Sequence, residues 1–142
     1  MVVDKSVLRA RFDKLERCIA KVRAALEDFD EDAYLQDTFL QDVVERNLQL
    51  ASQIVLDVCT HVIAEQGWES PGSYEEAIQI LARHEVIPTS LVERLRGMAG
   101  FRNVLVHEYL EIDGRLVYLA ATDHLEDYEL FAQHLSAWAT SA

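Results

Sequence analysis

Cysteine is scarce. Cys18 and Cys59 are the only two in 142 residues, and each sits inside an apolar helical pattern. A disulfide framework or a zinc site needs more thiols at closer spacing. Buried, reduced thiols of an intracellular protein are the expectation. Long apolar runs are missing as well. No stretch approaches the ~20 residues that a membrane span requires. Met1-Val2-Val3-Asp4-Lys5 has no apolar core of the signal-peptide kind, so the expected location is the cytoplasm, with no membrane partner. Repeats, low-complexity tracts and linkers are absent too, and one domain over residues 1–142 is expected. That length can bury a core without staples.

Basic residues are few. Thirteen Lys and Arg stand against 25 Asp and Glu, for a net charge of -12. A protein that grips long nucleic acid without specificity carries a basic face, so that class is disfavoured. The charge is uneven, however. Glu27 to Glu45 holds eight carboxylates and no Lys or Arg, whereas residues 83–102 hold four arginines against two glutamates, a surplus of two. A small local positive site, or an acidic face offered to a basic partner, stays open.

Helical periodicity fills most of the chain. Leu8, Phe12, Leu15, Ile19, Val22, Leu26 and Phe29 recur at alternating steps of four and three, as do Val44, Leu48, Ala51, Val55, Val58 and Val62. Each set is the apolar seam of a long helix. The acidic stretch from Asp30 to Asp37 reads as the loop between them. Thr38 to Gln41, Ser73 to Glu76 and Ser90 to Glu93 have the form of capping boxes, and Asp123 reads as the cap of a last helix. Gly67 and Pro71-Gly72 stop the second long helix. Gly97 and Gly100 either bend the helix before Arg102 or admit another backbone. Asp113-Gly114 reads as a turn. The sum is an all-α antiparallel bundle of four to six helices, with apolar surface left over that a symmetric dimer would cover.

One segment carries chemistry. Arg102, Asn103, His107 and Tyr109 interrupt the apolar run of Phe101, Val104, Leu105, Val106 and Leu110. On an ideal helix Arg102 and Tyr109 share a side, as do Asn103 and His107, while Arg102 and His107 stand ~140° apart. One regular helix therefore does not aim both at one small ligand. Either the helix loosens near His107 or a second copy supplies one of the pair. These side chains suit RNA cleavage without a metal or other cofactor. A ribose 2′-hydroxyl attacks the adjacent phosphate, and histidine, with an ordinary pKa of ~6.5, moves protons near neutrality. An arginine fork stabilises the charge gathering on the phosphate. Asn103 can orient either group, and Tyr109 can bond a phosphate or stack on a base. The bare spacing of Arg102 and His107 arises often by chance. His61, His84, His124 and His134 show no zinc-ligand spacing and read as ordinary helix residues. Trp68 and Trp138 read as packing, and Glu45 with Arg46 as a surface pair.

Taken together, Val44-Glu45-Arg46-Asn47-Leu48-Gln49, Pro71-Gly72-Ser73-Tyr74 and the long run from Leu95 to Tyr109 resemble the HepT-like branch of the HEPN superfamily. The last run matches the family's Arg-x4-His-x-Tyr signature without departure. The resemblance implies a dimeric helical bundle with two copies of the motif in an interface cleft. It also implies a ribonuclease toxin, acting on RNA such as transfer RNA, within a hetero-oligomer with an MntA-like nucleotidyltransferase antitoxin. By position, Arg102 and His107 would be catalytic, Asn103 supporting, Tyr109 the residue that receives AMP, and Arg46 a candidate for the cleft. The acidic balance favours a second reading, a non-catalytic nucleotide-binding or scaffold subunit of a nucleotidyltransferase complex. A metal-dependent hydrolase, a third reading, would lose activity in chelator.

Overall fold

Side-chain carboxylates and hydroxyls start most of the helices. Asp4 accepts hydrogen bonds from the Ser6 and Val7 N–H groups, and α1 runs Lys5–Leu26 behind it. Such caps satisfy the N–H groups that a first turn leaves without partners. The computed structural model describes residues 3–141, so Met1 and Val2 of the N-terminal reading lie outside it. Asp30 caps a six-residue helix, α2 (Glu31–Gln36), and Asp37 caps α3 (Thr38–Gln66). The long helix ends at Gly67, whose φ of 71° is the left-handed conformation that glycine adopts without strain. Then come α4 (Tyr74–Arg83) and α5 (Thr89–His107), a 3-10 turn (Tyr109–Glu111), α6 (Gly114–Asp123) and α7 (Leu125–Thr140). Among the described residues there is no strand.

The two heptad seams are the core. Leu8, Leu15, Ile19, Val22 and Leu26 of α1 and all six seam residues of α3 are buried, while Phe12 and Phe29 are half-buried at the margin. Helices α1 and α3 pack along their lengths. They are antiparallel, because the Asp4 backbone N–H at the start of α1 donates to both carboxylate oxygens of Glu65 at the end of α3. The other five helices also pack against α3, and α6 and α7 touch α1 as well. Each fully buried Leu or Val contributes about 1.5–3 kcal/mol relative to exposure. Cys18 and Cys59 are buried and free, and burial pushes both thiols up, away from the reactive thiolate.

The helix count exceeds the four to six expected, and the seven α-helices among the described residues come from two corrections. The acidic stretch is not simply a loop: α2 forms there, with Glu31 and Asp32 in its first turn, where negative charge suits the helix dipole. The Asp113-Gly114 turn is the start of α6, with the Asp113 carboxylate accepting from the Arg115 N–H. Three caps also move. Asp37, not Thr38, caps α3, and Gln41 instead donates to the Tyr34 and Leu35 carbonyls that end α2. Ser90 caps nothing, because Pro88 already occupies the N-cap position of α5. Asp123 closes α6, and α7 follows His124 with no side-chain cap. Ser73 does cap α4, and Glu76 reaches back to the Gly72 N–H.

Tyr34 is a weak point in this core. Its ring is fully buried against Tyr118, yet its hydroxyl has no hydrogen-bond partner among the described residues. Burial, with the Glu45 and Asp42 carboxylates nearby, pushes the phenol pKa up. A buried hydroxyl left unpaired costs about 1–3 kcal/mol. Tyr34→Phe is therefore expected to stabilise the fold by about 1 kcal/mol in urea denaturation. A clear loss of stability would show that the hydroxyl finds a partner in solution.

Candidate active site

Helix α5 is α-helical from Thr89 through His107, then breaks at Glu108. Its inner side buries Leu91, Leu95, Met98, Ala99 and Leu105. Gly97 and Gly100 are exposed on it, and among the described residues a Cβ at either would meet nothing within 4 Å beyond the helix's own backbone. No other backbone of this chain approaches either glycine closely.

Arg102 projects toward α3 and is held on three sides. Its Nε donates to Gln53 Oε1 at 2.8 Å, and one terminal nitrogen donates to Asn103 Oδ1 at 3.2 Å. The Tyr74 ring lies 5.9 Å from the guanidinium carbon, a cation–π distance. All three neighbours are neutral. Arg94, by contrast, pairs with Asp127 and Glu126, and Arg96 with Glu93 and Glu75. The local positive surplus read from residues 83–102 is thus largely matched by acids, and Arg102 is an arginine of that stretch held without a carboxylate.

The other motif residues lie apart from this cluster. His107 is the last residue of α5, exposed, with no hydrogen bond or ion pair among the described residues. No hydrogen bond joins it to Arg102. The helix does not loosen between them, so the ~140° separation of an unbroken helix stands. Tyr109 departs from the expectation that it shares a helical side with Arg102. The helix ends two residues earlier, and Tyr109 begins the 3-10 turn with 67% of its surface exposed. Asn103 is brought to Arg102 rather than to His107. Arg46 is exposed and makes no ion pair with Glu45, which is partly buried, its carboxyl pKa raised by that burial and by Asp42. Arg46 stands seven residues before Gln53, hence on nearly the same side of α3, about 10 Å along its axis.

Gln53 is a site residue outside the quoted motifs, and Tyr74 lies in the Pro71-Gly72-Ser73-Tyr74 match with no role assigned to it there. The signal for Gln53 was present: with Asp57 it forms a polar i, i+4 pair inside the apolar run of α3. Three of the other histidines lie near acids, His61 beside Glu65 among them. His84 stacks on Trp68 at 3.8 Å and bonds Glu69, and His124 lies near Asp127. Among the described residues no group of three or more His, Cys, Asp or Glu is arranged for a metal ion, and no helix is long and apolar enough to cross a membrane. An apolar groove of about 600 Å³ opens between α5 and α6, lined by Met98, Phe101, Val104 and Leu116, and no residue of the motif's polar set borders it.

Known proteins resemble this chain over most of its length. The mRNA nuclease HepT of Shewanella oneidensis is 32% identical over 123 residues, which are 87% of this chain and 91% of that protein. The tRNA nuclease HepT of Aphanizomenon flos-aquae is 26% identical over 137 residues, 96% of this chain and 92% of that one. The tri-AMPylated Shewanella oneidensis HEPN toxin, solved in complex with an MNT antitoxin, superposes with a TM-score of 0.84 at 30% identity, covering 92% of this chain and 97% of that one. The family model described as Ribonuclease HepT-like matches residues 15–135, and the chain belongs to that family of HepT-like ribonucleases.

Proposed function

We propose that this chain is the toxin of a toxin–antitoxin pair, an endoribonuclease that cuts RNA without a metal at a cleft shared by two copies. The observation that carries the reading is Arg102, an arginine held in place by neutral groups and in no ion pair among the described residues. Its free edge offers N–H donors and undiminished charge to a phosphate. His107 supplies proton transfer. In the reaction the 2′-oxygen bonds to phosphorus and the bond to the 5′-oxygen breaks. One proton leaves the 2′-hydroxyl and another reaches the 5′-oxygen, giving a cyclic phosphate and a free 5′-hydroxyl. The nuclease names of the two relatives support RNA as substrate.

Pairing of two chains is supported by what the single chain leaves uncovered. Phe39 is 85% exposed and Val43 joins it on α3, toward the end that carries Arg46. Leu110 is 85% exposed beside Tyr109. Apolar side chains this open, next to the motif, suit a symmetric contact. In that cleft Arg46 adds a second positive charge and Asn103 steadies Arg102. The Shewanella complex supports an MntA-like nucleotidyltransferase as the partner and AMP as the modifying group, for which Tyr109 is the acceptor on this chain.

The test is cleavage of RNA by purified chain in chelator. His107→Ala is expected to lower the rate by about 10²–10⁴-fold with the helical content unchanged. Equal rates for wild type and His107→Ala would sink the nuclease reading. Failure of both to cut would favour the second reading, a non-catalytic subunit of a nucleotidyltransferase complex, which the net charge of -12 supports.

A further inference from the structure

Arg102 is fixed through a relay that starts one turn further along α3. The Gln53 side-chain amide is engaged at both ends. Its Oε1 accepts from Arg102 Nε at 2.8 Å, and its Nε2 donates to Asp57 Oδ1 at 2.7 Å. An amide has one acceptor end and one donor end. The carboxylate can only accept, so it takes the donor end and turns the carbonyl oxygen toward the guanidinium. Tyr74 below and Asn103 alongside complete the seat.

We propose that Gln53 and Asp57 are positioning residues for Arg102, and that Gln53 is suited to this because it orients the guanidinium without neutralising it. This rests on the reading that Arg102 binds the scissile phosphate. The alternatives at position 53 fail for different reasons. A carboxylate there would hold Arg102 as an ion pair and compete with the phosphate for its charge. An apolar side chain of the same length would leave Nε without a partner and the arginine free to turn. The amide avoids both, and Asp57 keeps its negative charge one side chain away while fixing the amide's direction. Arg94 and Arg96, paired directly with carboxylates, show what Gln53 spares Arg102.

The full chain is tested with two readouts, cleavage kinetics and binding of a non-cleavable 2′-O-methyl RNA over a range of salt. Gln53→Met is expected to lower kcat by about 10²-fold, with KM and the salt dependence of binding close to wild type, because the charge remains. Gln53→Glu is expected to lower kcat similarly, and also to reduce the slope of log Kd against log salt by about one phosphate contact. Asp57→Leu lowers kcat, and Asp57→Asn, which keeps an acceptor oxygen for Gln53, recovers most of that loss. Thermal melting separates these effects from unfolding. Gln53→Met with wild-type kcat, in a protein that Arg102→Ala inactivates, would overturn the relay and leave the nuclease reading standing. If wild type binds the analogue but does not cut, the nuclease reading falls and the relay is decided by binding alone: an unchanged salt slope in Gln53→Glu overturns it. A wild-type chain that neither cuts nor binds removes both.

Discussion

Arg102→Ala and His107→Ala chains, each inactive alone, are expected to recover RNA cleavage when unfolded and refolded together in equal amounts. Arg102 and His107 both lie on α5, which is unbroken from Thr89 to His107. Five residues at ~100° each put them ~140° apart around the axis. Arg102 turns toward α3 and is held there by Gln53, while His107 stands at the helix end with no partner. If one site takes its arginine from one copy and its histidine from the other, a mixed dimer has one site lacking both and one site intact. Random pairing makes half the dimers mixed, so the mixture recovers about a quarter of the wild-type rate. A site built within one chain recovers nothing. Activity no greater than the two variants measured separately, under conditions where refolded wild type is active, would rule out the shared cleft.

How far the sequence foretold this arrangement depends on how much each helix buries. The seams of α1 and α3 were legible because the two helices pack together over about five turns, with every third or fourth residue apolar. Helix α2 escaped because it is six residues long and buries only Tyr34, too few to produce a period. Helix α6 escaped for the same reason, with Val117 and Ala121 buried in ten residues. The caps slipped because several adjacent residues could serve: Asp37 and Thr38 are both good N-caps, and the structure uses the aspartate. At the site, Arg102 and Asn103 were legible as polar interruptions of an apolar run. Gln53 shows in sequence only as a polar partner of Asp57; its tie to Arg102 was not legible, because it depends on α3 lying beside α5, forty-nine residues away in sequence. Tyr109 was read onto the wrong geometry because a helix was assumed to continue where Glu108 leaves it, at φ -120° and ψ 36°.

That break changes how modification of Tyr109 would silence the enzyme. With the nucleotidyltransferase partner and ATP, the chain is expected to gain mass in whole AMP units, and its RNA cleavage to fall by about 10²-fold or more. Tyr109 is two-thirds exposed on the 3-10 turn, beside the open Leu110, so a partner enzyme can reach its hydroxyl. On a continuing helix, AMP on Tyr109 would lie along the side of Arg102. The turn instead places the modified residue just beyond His107, at the end of α5. The added base and ribose then crowd the histidine side of the cleft. The added phosphate brings negative charge to a helix end that already carries Glu108 and Glu111, which is expected to weigh against an RNA phosphate there. Two variants separate these terms. Tyr109→Phe cannot accept AMP at this position, so it should remain unmodified there and keep its activity in the presence of partner and ATP. Tyr109→Glu adds charge without bulk and should fall between wild type and the modified chain. A mass gain that persists unchanged in Tyr109→Phe would refute the site. Modified wild type that still cuts at full rate would refute the switch.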